Sequence, residues 1–231
     1  MMRGPVRHAP LVTQVADQFR ELITSGRWAI GQKIPGEHEL AAELNVSRAT
    51  VREALRGLSI TGLLEPRIGD GTYVRATNEI TGVLVRDDLS TLDHVLDARG
   101  GLEAVSARLA AQQATPTALH ELAVSLEART RAHDSGDLIA YAKADSAFHR
   151  AVIHASGNPV LVRLHTAVAE LMDQSIEQTS VLPEDPEVGN AHARLLRAIQ
   201  DRDPDGAASA AYELIALVKS TAPAPSEVRF P

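Results

Sequence analysis

The sequence predicts a mainly α-helical protein with a single short β-hairpin near its front, and three observations predict it. Aromatic residues make up only 3% of the 231 residues while alanine is abundant, which favours helices packed through Ala, Leu and Val over a β-sandwich. Apolar residues recur at spacings of three and four along most of the chain. Convincing strand-like runs occur only at Leu63–Arg67 and Thr72–Arg75, separated by Ile68-Gly69-Asp70-Gly71.

Each element has its own local cause. Met1–Pro10 has two prolines and no periodicity, and reads as a mobile arm. Leu11, Val15, Phe19, Leu22 and Ile23 share one face of a first helix, which Gly26 stops. Ile34-Pro35-Gly36 makes a turn. Glu37–Leu44 then forms a short helix with Leu40 and Leu44 inward, ended by Asn45, a residue that tolerates the left-handed conformation. Ser47 is a good N-cap for a third helix, whose Val51, Ala54, Leu55 and Leu58 form an apolar stripe that ends near Gly62. Helix, helix, turn, helix, hairpin is the order of a winged helix-turn-helix, placed at residues 9–76.

Residues 77–88 are weakly patterned and read as a linker. Six helical stretches follow over 89–220, namely Leu89–Ala114, Thr117–Ser135, Asp137–Ser156, Pro159–Ser180, Pro186–Arg202 and Pro204–Ser220. Stop and cap signals separate them at Thr115-Pro116, Gly136, Gly157-Asn158, Pro183 with Pro186, and Asp203-Pro204. Gly100-Gly101 is expected to loosen the first of them. Residues 221–231, with three prolines, read as a disordered tail.

The formal net charge is −7, but it is unevenly distributed. Residues 1–77 carry 10 Lys/Arg against 8 Asp/Glu, a net of +2, and residues 78–231 carry 13 against 22, a net of −9. The two parts therefore look built for different partners. Zero cysteines exclude disulfides, thiol catalysis and Cys-based zinc sites. No apolar run approaches the roughly 20 residues of a membrane helix, and Met1–Pro10 lacks a signal-peptide core. The expected location is the cytoplasm.

Arg48, Arg52 and Arg56 are spaced by four on the third helix, opposite its apolar stripe, so their guanidiniums form one ridge. On the second helix of a helix-turn-helix such a ridge enters the major groove, where Arg bonds guanine bidentately. The plainer alternative is a solvated face with Arg52 or Arg56 paired to Glu53 or a neighbour. Ser47 and Thr50 add hydroxyls for phosphate or base edges, and the Gly69–Gly71 tip offers bare backbone amides. In the rear part Asp145 and His149 lie four apart on one helix and His192 lies on a later one. A carboxylate with two imidazoles suits Zn²⁺, Ni²⁺ or Mn²⁺, while a surface ion pair is the alternative for Asp145 and His149.

Three front segments carry a resemblance: Ile34–Ala41 (IPGEHELA), Val46–Leu58 (VSRATVREALRGL) and Gly62–Val74 (GLLEPRIGDGTYV). They resemble the GntR superfamily of bacterial transcription regulators. The resemblance implies base-reading roles for Arg48 and Arg52, neighbouring contacts at Ser47 and Ala49, and a minor-groove contact at Gly69. It departs at His38, where the family usually has Arg, which would weaken a DNA contact, make it pH-sensitive or direct it at another base. It departs also at Asp70, whose charge on the wing tip repels phosphate unless it is turned away.

Behind these, Ala98–Glu103, Ala144–Leu161 and Ala191–Ile199 resemble the effector-binding domain of the FadR subfamily. That resemblance implies a six- or seven-helix antiparallel bundle in which one aspartate and three histidines hold a divalent metal. Asp145, His149 and His192 match three of these ligands, but the fourth position is occupied by Leu214. Two outcomes stay open: a three-ligand site completed by waters or an effector carboxylate, and a metal-free pocket reshaped by Leu214. The resemblance also implies that Arg99 faces the pocket and pairs an anionic effector, against an ion pair with Asp97, Glu103 or another helix. Asn158 is a second polar pocket group or the cap of a turn.

The expectation is a homodimeric repressor that binds a pseudo-palindromic operator in double-stranded DNA and is nucleoid-associated when bound. A small carboxylate or other anion in the rear bundle would control it. The competing expectation is a metal-dependent enzyme built on that bundle.

Overall fold

The computed structural model describes residues 9–86, 91–180 and 186–221, which fall into two compact units divided after residue 87. The first unit begins with α1 (Leu11–Thr24), α2 (Glu37–Glu43) and α3 (Arg48–Ile60). Val15, Phe19 and Ile23 of α1 pack against Leu40 and Ala41 of α2 and Val51, Ala54, Leu55 and Leu58 of α3. Trp28 completes this core, its ring centroid 5.3 Å from that of Phe19. Asn45 takes the left-handed conformation (φ 52°) after α2, and Ser47 Oγ accepts the Thr50 amide at 3.1 Å to start α3.

The wing consists of β1 (Leu64–Arg67) and β2 (Gly71–Val74), antiparallel, with Leu64 opposite Val74 and Arg67 opposite Gly71. The far edge of β2 is paired as well, because the Ile34 amide donates to Thr72 O at 2.9 Å and the Val74 amide to Gln32 O at 3.0 Å. The wing is thereby pinned to the turn preceding α2.

Within the expected linker, residues 79–86 form the helix α4 (Glu79–Arg86). Asn78 Oδ1 accepts the Thr81 amide at 3.0 Å and caps it, and Thr81 and Val85 are buried. Gly82 allows α4 to press its backbone on the end of α3. A Cβ there would fall 2.6 Å from the Thr61 carbonyl oxygen and 2.7 Å from Gly62 C. The weak patterning concealed a helix docked by backbone approach rather than by an apolar stripe.

The second unit is built from α5 (Leu92–Gln113), α6 (Pro116–Ser135), α7 (Leu138–Ala155), α8 (Pro159–Ser180), α9 (Pro186–Gln200) and α10 (Pro204–Thr221). Thr91, Thr115 and Asp137 cap α5, α6 and α7 with side-chain oxygens. The core is alanine-rich, with Ala107, Ala110, Ala111, Ala191 and Ala211 around Leu122, Phe148, Leu195, Ile199 and Leu214. Such small side chains let helices approach closely, which accounts for the composition.

Contrary to expectation, α5 runs unbroken through Gly100-Gly101, because Tyr212 and Ile215 of α10 pack over Gly100. Arg202, itself left-handed (φ 58°), closes the far end of α5 by donating to Ala111 O at 3.3 Å and Ala114 O at 2.6 Å. Among the described residues no strand occurs beyond the wing, and no helix is long and apolar enough to cross a membrane. Residues 1–8 of the expected arm Met1–Pro10, the Pro183 break and the tail beyond Thr221 lie outside the described residues; Thr221 itself is the last residue of α10.

Candidate nucleic-acid interface and metal centre

In the first unit, α3 directs its apolar stripe inward, so Arg48, Ala49, Arg52 and Arg56 are exposed on the opposite face. His38, on α2, and Ser47 are exposed as well. The Thr50 hydroxyl lies 2.8 Å from that of Ser47, so both side chains also serve the start of the helix. Arg52 has a different partner from those expected. Its Nε and Nη2 donate to the two carboxylate oxygens of Glu37, the first residue of α2, at 3.0 and 2.8 Å. The hydrogen bond to Arg52 is the main reason the Glu37 carboxyl is held below its ordinary value.

A cleft of about 520 Å³ separates α3 from the wing, with Lys33, Glu37, Arg52, Arg56 and Asp70 on its walls. Gly69 is exposed at the wing tip beside Ile68, which is fully exposed. The charge of Asp70 is answered locally: Tyr73 OH donates to it at 2.8 Å and Lys33 Nζ at 3.1 Å. These two bonds hold its carboxyl below the usual range, and the Lys33 ammonium offsets its negative charge.

In the second unit, Asp145 and His149 lie one turn apart on α7 and meet His192 of α9, all three buried. One candidate ligand atom from each lies within 4.8 Å of the others. His149 Nε2 and His192 Nε2 are 3.2 Å apart, and Asp145 faces them at 3.4 and 3.2 Å respectively. The other nitrogen of each ring is occupied. His149 Nδ1 donates to Glu103 at 2.6 Å, and His192 Nδ1 donates to Val188 O at 2.8 Å, since a carbonyl can only accept. Both rings therefore aim Nε2 at one point, with the kind of outer partner that metal-binding histidines have.

The donor set fits a first-row divalent cation, with one carboxylate and two imidazoles as at most three protein ligands. Leu214 is fully buried among apolar neighbours and supplies no donor.

The surrounding charges are unusually enclosed. Arg99 Nε donates to Glu103 at 2.7 Å, and its Nη2 lies 3.8 Å from Asp145. Arg129 of α6 donates through Nε to Asp145 Oδ1 and through Nη2 to Tyr141 OH. Burial alone would raise the Glu103 carboxyl, but His149 and Arg99 outweigh it and hold it at about 2. Asp145 is likewise held well below the carboxylate range, chiefly by the two imidazoles acting against burial. Burial and Arg99 push His149 down, but Glu103 and Asp145 together leave it raised; burial leaves His192 lowered.

Sequence reasoning named Arg99 and, as one possible ion-pair partner, Glu103, and the structure forms that pair; it missed Arg129 and Tyr141 as members of the cluster. Arg129 had one signal, for it continues at helical spacing the stripe Leu119, Leu122, Leu126 of α6, where an apolar residue is expected. Asn158 does not join the cluster, because its Oδ1 is spent on the amides of Val160 and Leu161 at 2.9 and 3.3 Å, capping α8. His165 is buried, and His154, His120 and His133 are exposed.

Two family models match the chain: "Bacterial regulatory proteins, gntR family" over residues 11–74 and "FCD domain" over residues 94–217. A protein of Escherichia coli K12 named for regulation of an L-lactate dehydrogenase operon is 31% identical over 225 residues, covering 91% of this chain and 86% of its own. A protein of Paenarthrobacter nicotinovorans named for transcriptional repression of a D-xylose utilization operon is 33% identical over 216 residues, covering 91% and 90%. The solved structure of a Streptococcus agalactiae GntR protein matches with a TM-score of 0.53 and 29% identity, covering 91% of this chain and all of that one.

Proposed function

Because the chain belongs to the GntR family of bacterial transcription regulators and carries an FCD domain, we propose that it is a repressor whose operator affinity is set by a small anionic metabolite bound, together with a divalent metal, in the helical unit. Within the family we assign it to the FadR subfamily. The family and its relatives are regulators rather than enzymes, so the competing catalytic expectation is set aside. What supports the metal is the convergence of Asp145, His149 and His192 on one point, each histidine oriented by an outer acceptor.

In this reading Arg48 and Arg52 read base edges in the major groove, Ser47, Ala49, Thr50 and His38 line the contact, and Gly69 brings the wing backbone to the minor groove. A homodimer places two copies of α3 about 34–36 Å apart on a pseudo-palindrome. Asp145, His149 and His192 would hold a Zn²⁺, Ni²⁺ or Mn²⁺ ion, which would supply a Lewis-acid anchor for a carboxylate, since Leu214 offers no donor. Arg99 supplies a second point of attraction for the same anion. Effector binding shifts the balance between conformers that differ in DNA affinity. The place of action is the bacterial cytoplasm, on the nucleoid when bound. An acyl carboxylate, a hydroxy acid and a sugar acid all satisfy this chemistry.

An operator selected from random DNA provides the test. Arg48→Ala and Arg52→Ala should each weaken binding by about 1–3 kcal/mol and relax specificity; unimpaired binding by both variants would remove the assignment. Protein purified without chelator should contain near-stoichiometric metal that His192→Ala eliminates, and elemental analysis finding none in the parent would count against the metal.

A further inference from the structure

We propose that the cleft between α3 and the wing seats the sugar-phosphate strand that separates the two DNA grooves, and that Arg56 is the cation that holds a phosphate there. The inference rests on the reading of α3 in the major groove and of the wing at the minor groove. It gives Arg56, one of the three arginines of the ridge, a task different from that of Arg48 and Arg52.

The geometry of the double helix supplies the first step. A phosphodiester strand divides each major groove from the minor groove beside it. A body that enters both grooves with two rigidly joined elements therefore has that strand running between them. The wing and α3 are joined in this way. On one side α3 shares its core with α2. On the other, the segment before α2 is bonded to β2, with the Ile34 amide donating to Thr72 O at 2.9 Å and the Val74 amide to Gln32 O at 3.0 Å. The space left between them is the cleft of about 520 Å³.

Charge supplies the second step. Three cations, Lys33, Arg52 and Arg56, and two carboxylates, Glu37 and Asp70, line the cleft. Arg52 is paired with Glu37 at 2.8 Å and Lys33 with Asp70 at 3.1 Å. Those four charges cancel, so the cleft keeps the single positive charge of Arg56. Among the described residues Arg56 has no carboxylate partner, and its side chain is exposed two turns beyond Arg48. The Thr72 hydroxyl on the opposite wall likewise has no hydrogen-bond partner among the described residues, and it can donate to the same strand. An uncompensated guanidinium facing a hydroxyl across a channel suits a phosphate, which both groups can hydrogen-bond. Contacts of this kind position the protein on DNA and carry no sequence information, so Arg56 contributes affinity and register while the ratio between right and wrong sequences comes from other residues.

The experiment measures binding of the full chain to two fluorescent duplexes of equal length, an operator selected from random DNA and a scrambled sequence, over a series of KCl concentrations. Arg56→Gln should weaken both by the same several-fold factor and make the plot of log affinity against log salt shallower by about 0.9 for each copy of the chain on the DNA. Arg56→Lys, which keeps the charge, should retain the wild-type slope. Operators carrying one neutral methylphosphonate at a time should reveal one phosphate per half-site whose neutralisation weakens wild type but weakens Arg56→Gln no further. A changed preference for operator over scrambled DNA in Arg56→Gln overturns the proposal, because it marks a base contact. An unchanged affinity and slope overturn it as well, because they mark a solvated side chain, and so does the lack of any phosphate whose neutralisation matches the variant. Arg48→Ala separates this failure from that of the underlying reading. If Arg48→Ala loses operator preference while Arg56→Gln keeps its slope, the cleft alone is refuted. If wild type prefers no sequence, or Arg48→Ala and Arg52→Ala both keep the preference, the placement of α3 has failed and takes the cleft with it.

Discussion

Glu103 provides the most quantitative handle on the buried cluster. Its carboxyl is held at about 2, against 4.5 for a free glutamate, a difference of 4.5 − 2 = 2.5 units. At 1.36 kcal/mol per unit this corresponds to about 3 kcal/mol of stability. A carboxylate whose folded-state value is depressed contributes fully above its unfolded value of 4.5, and that contribution fades as pH falls through 4.5 toward 2. Glu103→Gln deletes the charge, leaves Arg99 and His149 Nδ1 with a weaker acceptor, and should cost about 3–5 kcal/mol at pH 7. Urea denaturation of metal-free protein, followed by far-UV circular dichroism at pH 7, 5, 4 and 3, should show wild type and variant converging as the pH drops. A gap that stays constant over this range, or one below about 1 kcal/mol at pH 7, would refute the assignment of the depressed carboxyl to the fold's stability.

Three further outcomes follow from local geometry. Gly82→Ala should destabilise the first unit by about 1–3 kcal/mol although alanine favours helices, since its Cβ meets the Thr61 carbonyl oxygen at 2.6 Å; a thermal melt showing stabilisation would contradict the close docking of α4. Arg202→Ala should cost about 1–2 kcal/mol by freeing the carbonyls at the end of α5, and faster amide exchange should appear at the termini it joined. Leu214→His should lower the melting temperature of stripped protein by placing a polar ring in the apolar core, and Zn²⁺ should restore it by more than it raises wild type; an unresponsive variant would place the metal elsewhere.

Much of the architecture was legible because it depends on local signals. Ser47, Asn45 and the residues around Gly69 act within a few positions of themselves, so the helix-turn-helix and its wing could be read from spacing and turn chemistry. The helix α4 was not legible, because its docking depends on the absence of side chains at Gly62 and Gly82, twenty residues apart, and a glycine in a short segment reads as a breaker. The same limit applied to Gly100, whose support comes from α10. At the candidate metal centre, the residues that point at one atom position carry a motif and were found. Arg129, which balances charge from another helix, carries none: it reaches Asp145 only when α6 and α7 pack together, and Glu103, paired with Arg99 on its own helix, meets His149 only when α5 and α7 do. Arg52 shows the effect in the first unit, for its carboxylate is fifteen residues away on α2 rather than on its own helix.

Trp28 is the chain's only tryptophan, and it lies in the core of the unit that carries α3. The helical unit contributes the tyrosines Tyr141 and Tyr212 and no indole. Selective indole emission is therefore a built-in optical reporter on one half of the molecule, silent about the other half. A small molecule added to the native, unlabelled protein that changes this emission while binding among α5–α10 has sent its influence across the division at residue 87. An emission that stays constant while the ligand binds would mean that the indole's surroundings do not register the event. The transmission step of regulation thus has a natural readout that requires neither DNA nor an attached dye.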